Sequence, residues 1–487
     1  KGLNTQDSPL SNDVQFSAVA DNVVVDAFGR LGARKGLQKL TFNPDVLNGS
    51  SPTVIHEYED ANGTLTILSI ADGKIFRGDT SLVDITPSGY TITDENFTFI
   101  NFNDKCYIIN KDHDPLVYDT TNGLRLVSDV SFASGTFPDG SVGIGGFGRL
   151  WVSDGNIVYW SDLLIGEIWD AGSAGSIDLD KVWPDGNDTV TGLAVWNSYL
   201  VIFGYNSIVL YRGAEDPATM SFADNISGVG CVDKNTIKAV GNDMLFMTAR
   251  GLMALGRTIQ EKSNPINDVS KNVRDDLLNL WQNETQGIRA VYSPVNSFYL
   301  MLFPTSNTIF CFDTRGYLEN GGYRVTRWIT GNHKCFYSRQ DDTLLVGNID
   351  GMSKYGGYLD NGQPYQMSYF SHPLSFGDPS IIKFLKKVAV TLIHGADITA
   401  SVQWGYDFTQ SYRAQSFTAK GQSPAYYDED LYNSGALYST GSERVTTKRI
   451  NTSGSGNLVT FGFQSMVDGS QLSIQEFNIQ ATSGRIY

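Results

Sequence analysis

Gly143-Ile-Gly-Gly-Phe-Gly148 matches G-x-G-x-x-G letter for letter. In a dinucleotide site such glycines let backbone amides at a helix start close on a pyrophosphate, so a helix must follow at once. Here Arg149-Leu-Trp-Val-Ser-Asp154 reads instead as the first strand of a hairpin, and the motif is set aside. Asp139-Gly-Ser-Val-Gly143 lacks the first glycine of a nucleophile elbow. His56, His113, His333, His372 and His394 show no zinc-ligand pairing. Two acidic loops, Asp112-His-Asp114 and Asp178-Leu-Asp180 with Asp185-Gly-Asn-Asp188, offer oxygens to calcium. Neither has the D-x-D-x-D-G…E spacing of a calcium loop, and both are expected as solvated turns. Cys106, Cys231, Cys311 and Cys335 form no C-x-x-C pair and are expected as buried free thiols from a reducing compartment. The expectation is a chain with no catalytic, cofactor or metal residues, and no enzyme.

The elements that would position such residues repeat. Leu150-Trp-Val, the turn Asp154-Gly-Asn156 and Ile157-Val-Tyr-Trp160 form a hairpin, since Asp-Gly turns supply the positive φ that twisted strands need. The pattern returns at Leu65, Cys106, Leu200, Leu245, Tyr299 and Leu344, successive anchors lying about 41 to 54 residues apart. A strand repeat of roughly 40 to 50 residues marks propeller blades, each needing neighbours to cover both faces of its sheet. The fold class is therefore all-β: a β-propeller of six to seven blades. A large sandwich would not require such near-constant spacing. Trp151, Trp160 and Trp196 are expected in blade cores rather than stacked on sugars. Ser153-Asp-Gly-Asn-Ile-Val-Tyr-Trp160 does not meet the Ser-x-Asp-x-Gly-x-x-Trp box of sialidase propellers.

Around the blades, assigned to 46–365, residues 1–45 read as an N-terminal arm and entry strand. This segment carries Arg30, Arg34, Lys35 and Lys39, a cluster that could meet phosphate or an acidic neighbour and is a candidate subunit or adaptor interface. A helix is predicted over 267–281, capped by Asn267 or Asp268, with Val269, Val273, Leu277 and Trp281 on one face. Residues 366–487 read as a C-terminal β-sandwich-like domain with a long exposed loop region at 405–457, rich in Ser, Gly, Tyr and Thr. No apolar run approaches the ~20 residues of a membrane span. Lys and Arg number 36 against 52 Asp and Glu, a net charge of −16, which argues against a sequence-reading nucleic-acid binder.

Gly2-Leu-Asn-Thr-Gln-Asp-Ser-Pro, Ala20-Asp-Asn-Val-Val-Val-Asp-Ala-Phe-Gly and Arg34-Lys-Gly-Leu resemble the start of a family of short-tailed bacteriophage (podovirus) tail proteins. These are the tail nozzle proteins, also called tail tubular protein B or packaged-DNA stabilisation proteins. Asn264-Pro-Ile-Asn-Asp-Val-Ser and Pro373-Leu-Ser-Phe-Gly-Asp-Pro with the following Lys-Lys-Val extend the likeness over most of the chain. The resemblance implies a structural virion protein, assembled in the host cytoplasm as a hexameric ring at the distal tail. It would contact a tail adaptor ring protein and tail fibres or spikes. Double-stranded DNA would pass through it without sequence readout, gated during ejection and retained before it. On that reading the DNA path is expected to be acidic, so that phosphates do not stick. The competing class is a secreted carbohydrate-binding or carbohydrate-active propeller, which would bind soluble glycans as a monomer.

Overall fold

Tyr199–Gly204 and Ser207–Arg212 show why the repeat takes the form it does. Along these strands successive side chains point to opposite faces. Leu200, Ile202, Val209 and Tyr211 enter one core with Trp151 and Trp160 of the preceding sheet. Val201, Phe203, Ile208 and Leu210 enter another with Met244, Phe246 and Met253 of the following sheet. A strand buried on both faces is apolar throughout, and such a sheet is stable only between neighbours. The computed structural model describes all residues except 27–28, 185, 263–267, 330, 350, 409–410, 422–443 and 485–487. It contains two compact units: Lys39–Asn307 with Gly331–Lys354, and Lys1–Gln38 with Thr308–Thr330 and Tyr355–Tyr487.

The first unit is a seven-bladed propeller. Four antiparallel four-stranded sheets begin at Val54–Glu59, Thr98–Phe102, Val142–Gly146 and Val190–Trp196. A three-stranded sheet follows from Lys238–Val240, then the hairpin Arg289–Ser293/Phe298–Phe303, then a sheet from His333–Ser338. The first strands lie side by side in a closed ring, the last against the first, with the turn Lys234–Thr236 that leads into the fifth blade making the contact with the fourth. Each predicted anchor falls in the second strand of a different blade. Innermost strands crowd together near the axis, and glycine solves the crowding. A Cβ on Gly143 would lie 2.7 Å from Ile100 Cδ1, and one on Gly146 would lie 2.7 Å from Val195 Cγ2. The G-x-G-x-x-G letters therefore serve blade packing, and a strand, Arg149–Asp154, follows them. Ring closure uses charge as well as apolar contact. Glu57, buried on the first blade, accepts from Arg339 Nε at 2.9 Å and from the Gln340 amide at 2.8 Å on the last.

The second unit is a sandwich. One sheet runs in the order Thr308–Asp313, Arg324–Ile329, Phe16–Asp21, Tyr365–Ser371, Val459–Val467, Ile398–Tyr406, Arg413–Ala419. The other is Val23–Val25, Leu31–Ala33, Leu472–Ser483, Lys383–His394, Arg444–Asn451. Tyr369 and Phe461 of the first meet Phe477 of the second, ring centroids 5.8 and 5.0 Å apart.

Three elements differ from expectation. The opening segment holds the expected strand, but as a mid-sheet strand rather than an entry strand: residues far along the chain flank Phe16–Asp21 on both sides. The helix is shorter, Arg274–Gln282 after a 3₁₀ turn at Lys271–Val273. Asp268 pairs with Arg274 and the Ser270 hydroxyl accepts from the Leu252 amide, so this stretch is held as turns. Val269, Val273 and Leu277 are buried as predicted, whereas Asn267 lies outside the described residues. The 405–457 region contains strands Arg413–Ala419 and Arg444–Asn451, which extend the two sheets; its middle, 422–443, lies outside the described residues.

Candidate functional site

Every first strand or its leading turn contributes to one axial cavity of about 200 Å³ within the propeller unit. His56, Phe99 and Tyr337 form an aromatic wall, with the imidazole stacked on Phe99 at 5.4 Å and edge-on to Tyr337 at 5.5 Å. Asn101 donates its amide to Glu57 O at 2.8 Å, which turns its oxygen toward His56 Nε2, 2.9 Å away. That places the imidazole proton on Nε2. Burial lowers the His56 pKa to about 4, and the nearby Lys238 charge pushes the same way.

The opposite wall is cationic. Asp233 caps the 3₁₀ turn Lys234–Thr236 by accepting from the Asn235 amide at 2.8 Å, and its other oxygen accepts from the Ile288 amide at 2.9 Å. One carboxylate thus fixes the spacing of Lys234, Lys238 and Arg289. Lys234 Nζ donates to Thr98 Oγ1 at 2.7 Å and to Ser141 O at 2.5 Å. Arg289 donates to Asn96 Oδ1 at 3.3 Å. Burial lowers the Lys234 pKa to about 8, with Arg289 adding to the effect and Asp233 and Asp94 opposing it. Lys238 is lowered by burial too. Cys335 also lines the cavity, but burial raises its thiol to about 12, and the thiol donates to Pro52 O. The lining holds positive charge in a partly dehydrated space.

The sequence pointed elsewhere. Of the N-terminal cluster, Arg34 is 1% exposed: its guanidinium forks onto Asp360 at 2.9 and 2.5 Å and lies 4.1 Å over the Tyr365 ring. Arg30 is half-buried and paired with Asp26 at 2.6 Å. Lys35 and Lys39 are exposed. In the acidic loops, Asp178 binds Lys181 and the Asp180 amide, and Asp188 accepts from the Tyr205 and Asn206 amides and the Ser207 hydroxyl. Asp185 lies outside the described residues. Among the described residues no group of three His, Cys, Asp or Glu is placed to hold a metal ion. All four cysteines are buried and unpaired. Lys234, Lys238 and Arg289 carried no motif; the available signal was their position one strand upstream of the Leu245 and Tyr299 hairpins.

No family model and no curated protein matches the chain. Among solved structures it is similar to the extracellular domain of the putative one component system BT4673 from B. thetaiotaomicron, at 13% identity and TM-score 0.43. That likeness covers 68% of this chain and spans 41% of the other's length. It is also similar to the Neurospora crassa Pan2 WD40 domain, at 9% identity over 66% of this chain and 94% of that one, TM-score 0.38. For YCF48 bound to D1 peptide the values are 8%, 63%, 92% and 0.36.

Proposed function

We propose that this chain is a non-catalytic subunit of the distal tail nozzle ring of a short-tailed bacteriophage. In the virion it lies below an adaptor ring, supports fibres or spikes, retains packaged DNA and passes it during ejection. The observation that carries the reading is where the residues of the family resemblance sit. Gly2 has φ +90°, and a Cβ there would lie 2.6 Å from Val325 O. Asn4 is fully buried; its side chain bonds Asp7 and Asn12 and accepts the Gln6 and Asp7 amides. Asp21 pairs with Arg327 at 2.7 Å, Asn22 accepts from Arg34 Nε at 3.1 Å, and Arg34 grips Asp360. The loosely spaced letters of the resemblance are thus the joints of one sandwich unit, the kind of residue a shared scaffold retains.

The same reading accounts for a rigid repeat scaffold of strong negative charge. Light scattering of the purified chain, alone and with an adaptor ring protein, tests it. A closed ring of six is expected, with stoichiometric binding to the adaptor. A persistent monomer that binds soluble glycans would overturn the proposal in favour of a carbohydrate-binding propeller.

A further inference from the structure

We propose that the axial cavity of the propeller is a binding site for a small, multiply charged oxyanion of the phosphate class, held by Lys234, Lys238 and Arg289. The three cations line one space of about 200 Å³. Among the described residues none of them forms an ion pair with a carboxylate. The two acids near enough to act on Lys234 are already engaged. Asp233 accepts the Asn235 and Ile288 amides, and Asp94 accepts the Asn96 amide and the Asn110 side chain. Lys234 and Arg289 have neutral acceptors, whereas the Lys238 ammonium meets no hydrogen-bond acceptor among the described residues.

Asp233 acts on Lys238 as well as on Lys234, but it pairs directly with neither. Cations gathered in a partly dehydrated space with no carboxylate in direct contact are costly, so each gains most from an anion that reaches all of them. A guanidinium supplies a paired fork for two oxygens, and a lysine a point charge, the combination that suits a compact oxyanion. His56 adds no charge at neutral pH, so it leaves the positive field of the opposite wall unchanged. A long polyanion is a poor fit, because the site is a cavity rather than a groove. This site is independent of how the chain assembles.

The test is calorimetric titration of the whole chain with inorganic phosphate at low salt, in parallel with sulfate and with glycerol 2-phosphate. Expected is one saturable site per chain, weakened about tenfold or more by Lys238→Gln, as for loss of a charged hydrogen bond. Lys238→Arg keeps binding, and Lys181→Gln, at an exposed lysine outside the cavity, leaves it unchanged. Preference for inorganic phosphate over the ester assigns the free ion; the reverse assigns a phosphomonoester. If Lys238→Gln does not fold, Arg289→Gln gives the same reading. Absence of saturable binding by any of the three probes overturns the proposal. Equal weakening by Lys181→Gln, the mark of diffuse charge, does so too.

Discussion

His56 holds its neutral form chiefly because it is buried between two aromatic rings, with the Lys238 charge adding to the effect and the Asn101 amide acceptor opposing it. Its pKa is about 4 folded, against 6.5 for a free imidazole. Between those values the unfolded chain binds more protons, so this stability is complete above pH 6.5 and is lost as pH falls toward 4. Between pH 7 and pH 5 the loss from this one group is about 2 kcal/mol. Urea unfolding at the two pH values, compared with His56→Gln, isolates it; an equal pH dependence in the variant would show that His56 is not the sensor. At this scale the sequence was least readable. Arg34 stood in a basic run that looked like surface, and what covers it includes Asp360 and Tyr365, more than three hundred positions away. Lys238 and Arg289 were invisible for the same reason: a cavity is made by first strands that share no local pattern.

At the scale of elements, legibility follows burial. The second strands of the blades, and the third strands where a blade has one, are largely covered on both faces, so they read as nearly continuous apolar runs and yielded the repeat. First and outer strands mix exposed and buried positions. Val54–Glu59 alternates only partly and Val83–Asp84 is exposed, and neither announced itself. The helix was placed too early because the four-residue spacing of Val269, Val273 and Leu277 persists through a 3₁₀ turn that the spacing alone cannot distinguish from helix. Closure between the first and last blades depends on an ion pair that breaks asymmetrically. Arg339→Met leaves the Glu57 carboxylate buried and uncompensated, which costs about 3 to 5 kcal/mol. Substituting both partners, Glu57→Gln with Arg339→Met, is expected to restore part of that loss. Thermal unfolding of the single and double variants checks this; a single variant as stable as the parent would show that closure is apolar alone.

For the whole molecule, charge sets the terms of association. The proposed ring of six chains at −16 each would carry a formal charge of about −100. Among the described residues no helix is long and apolar enough to cross a membrane. Screening shortens from roughly 14 Å at 0.05 M salt to roughly 4 Å at 0.5 M, so assembly of like-charged chains should tighten over that range. Sedimentation at the two ionic strengths measures it. Loosening by salt would instead point to an interface in which Lys35 and Lys39 meet acidic neighbours. The strand order of the sandwich carries a further consequence, in the time domain. Ser17 pairs with Ser371, so the opening strand has no partner on one side until the ribosome has made most of the chain. At about 5 to 20 residues per second that wait is roughly 20 to 70 s. During it, the first four blades, complete in Val54–Ser227, can already close on one another. Proteolysis of arrested nascent chains should therefore find those blades protected while Phe16–Asp21 is still cut. A segment made well before its partner is among the last to be locked in place.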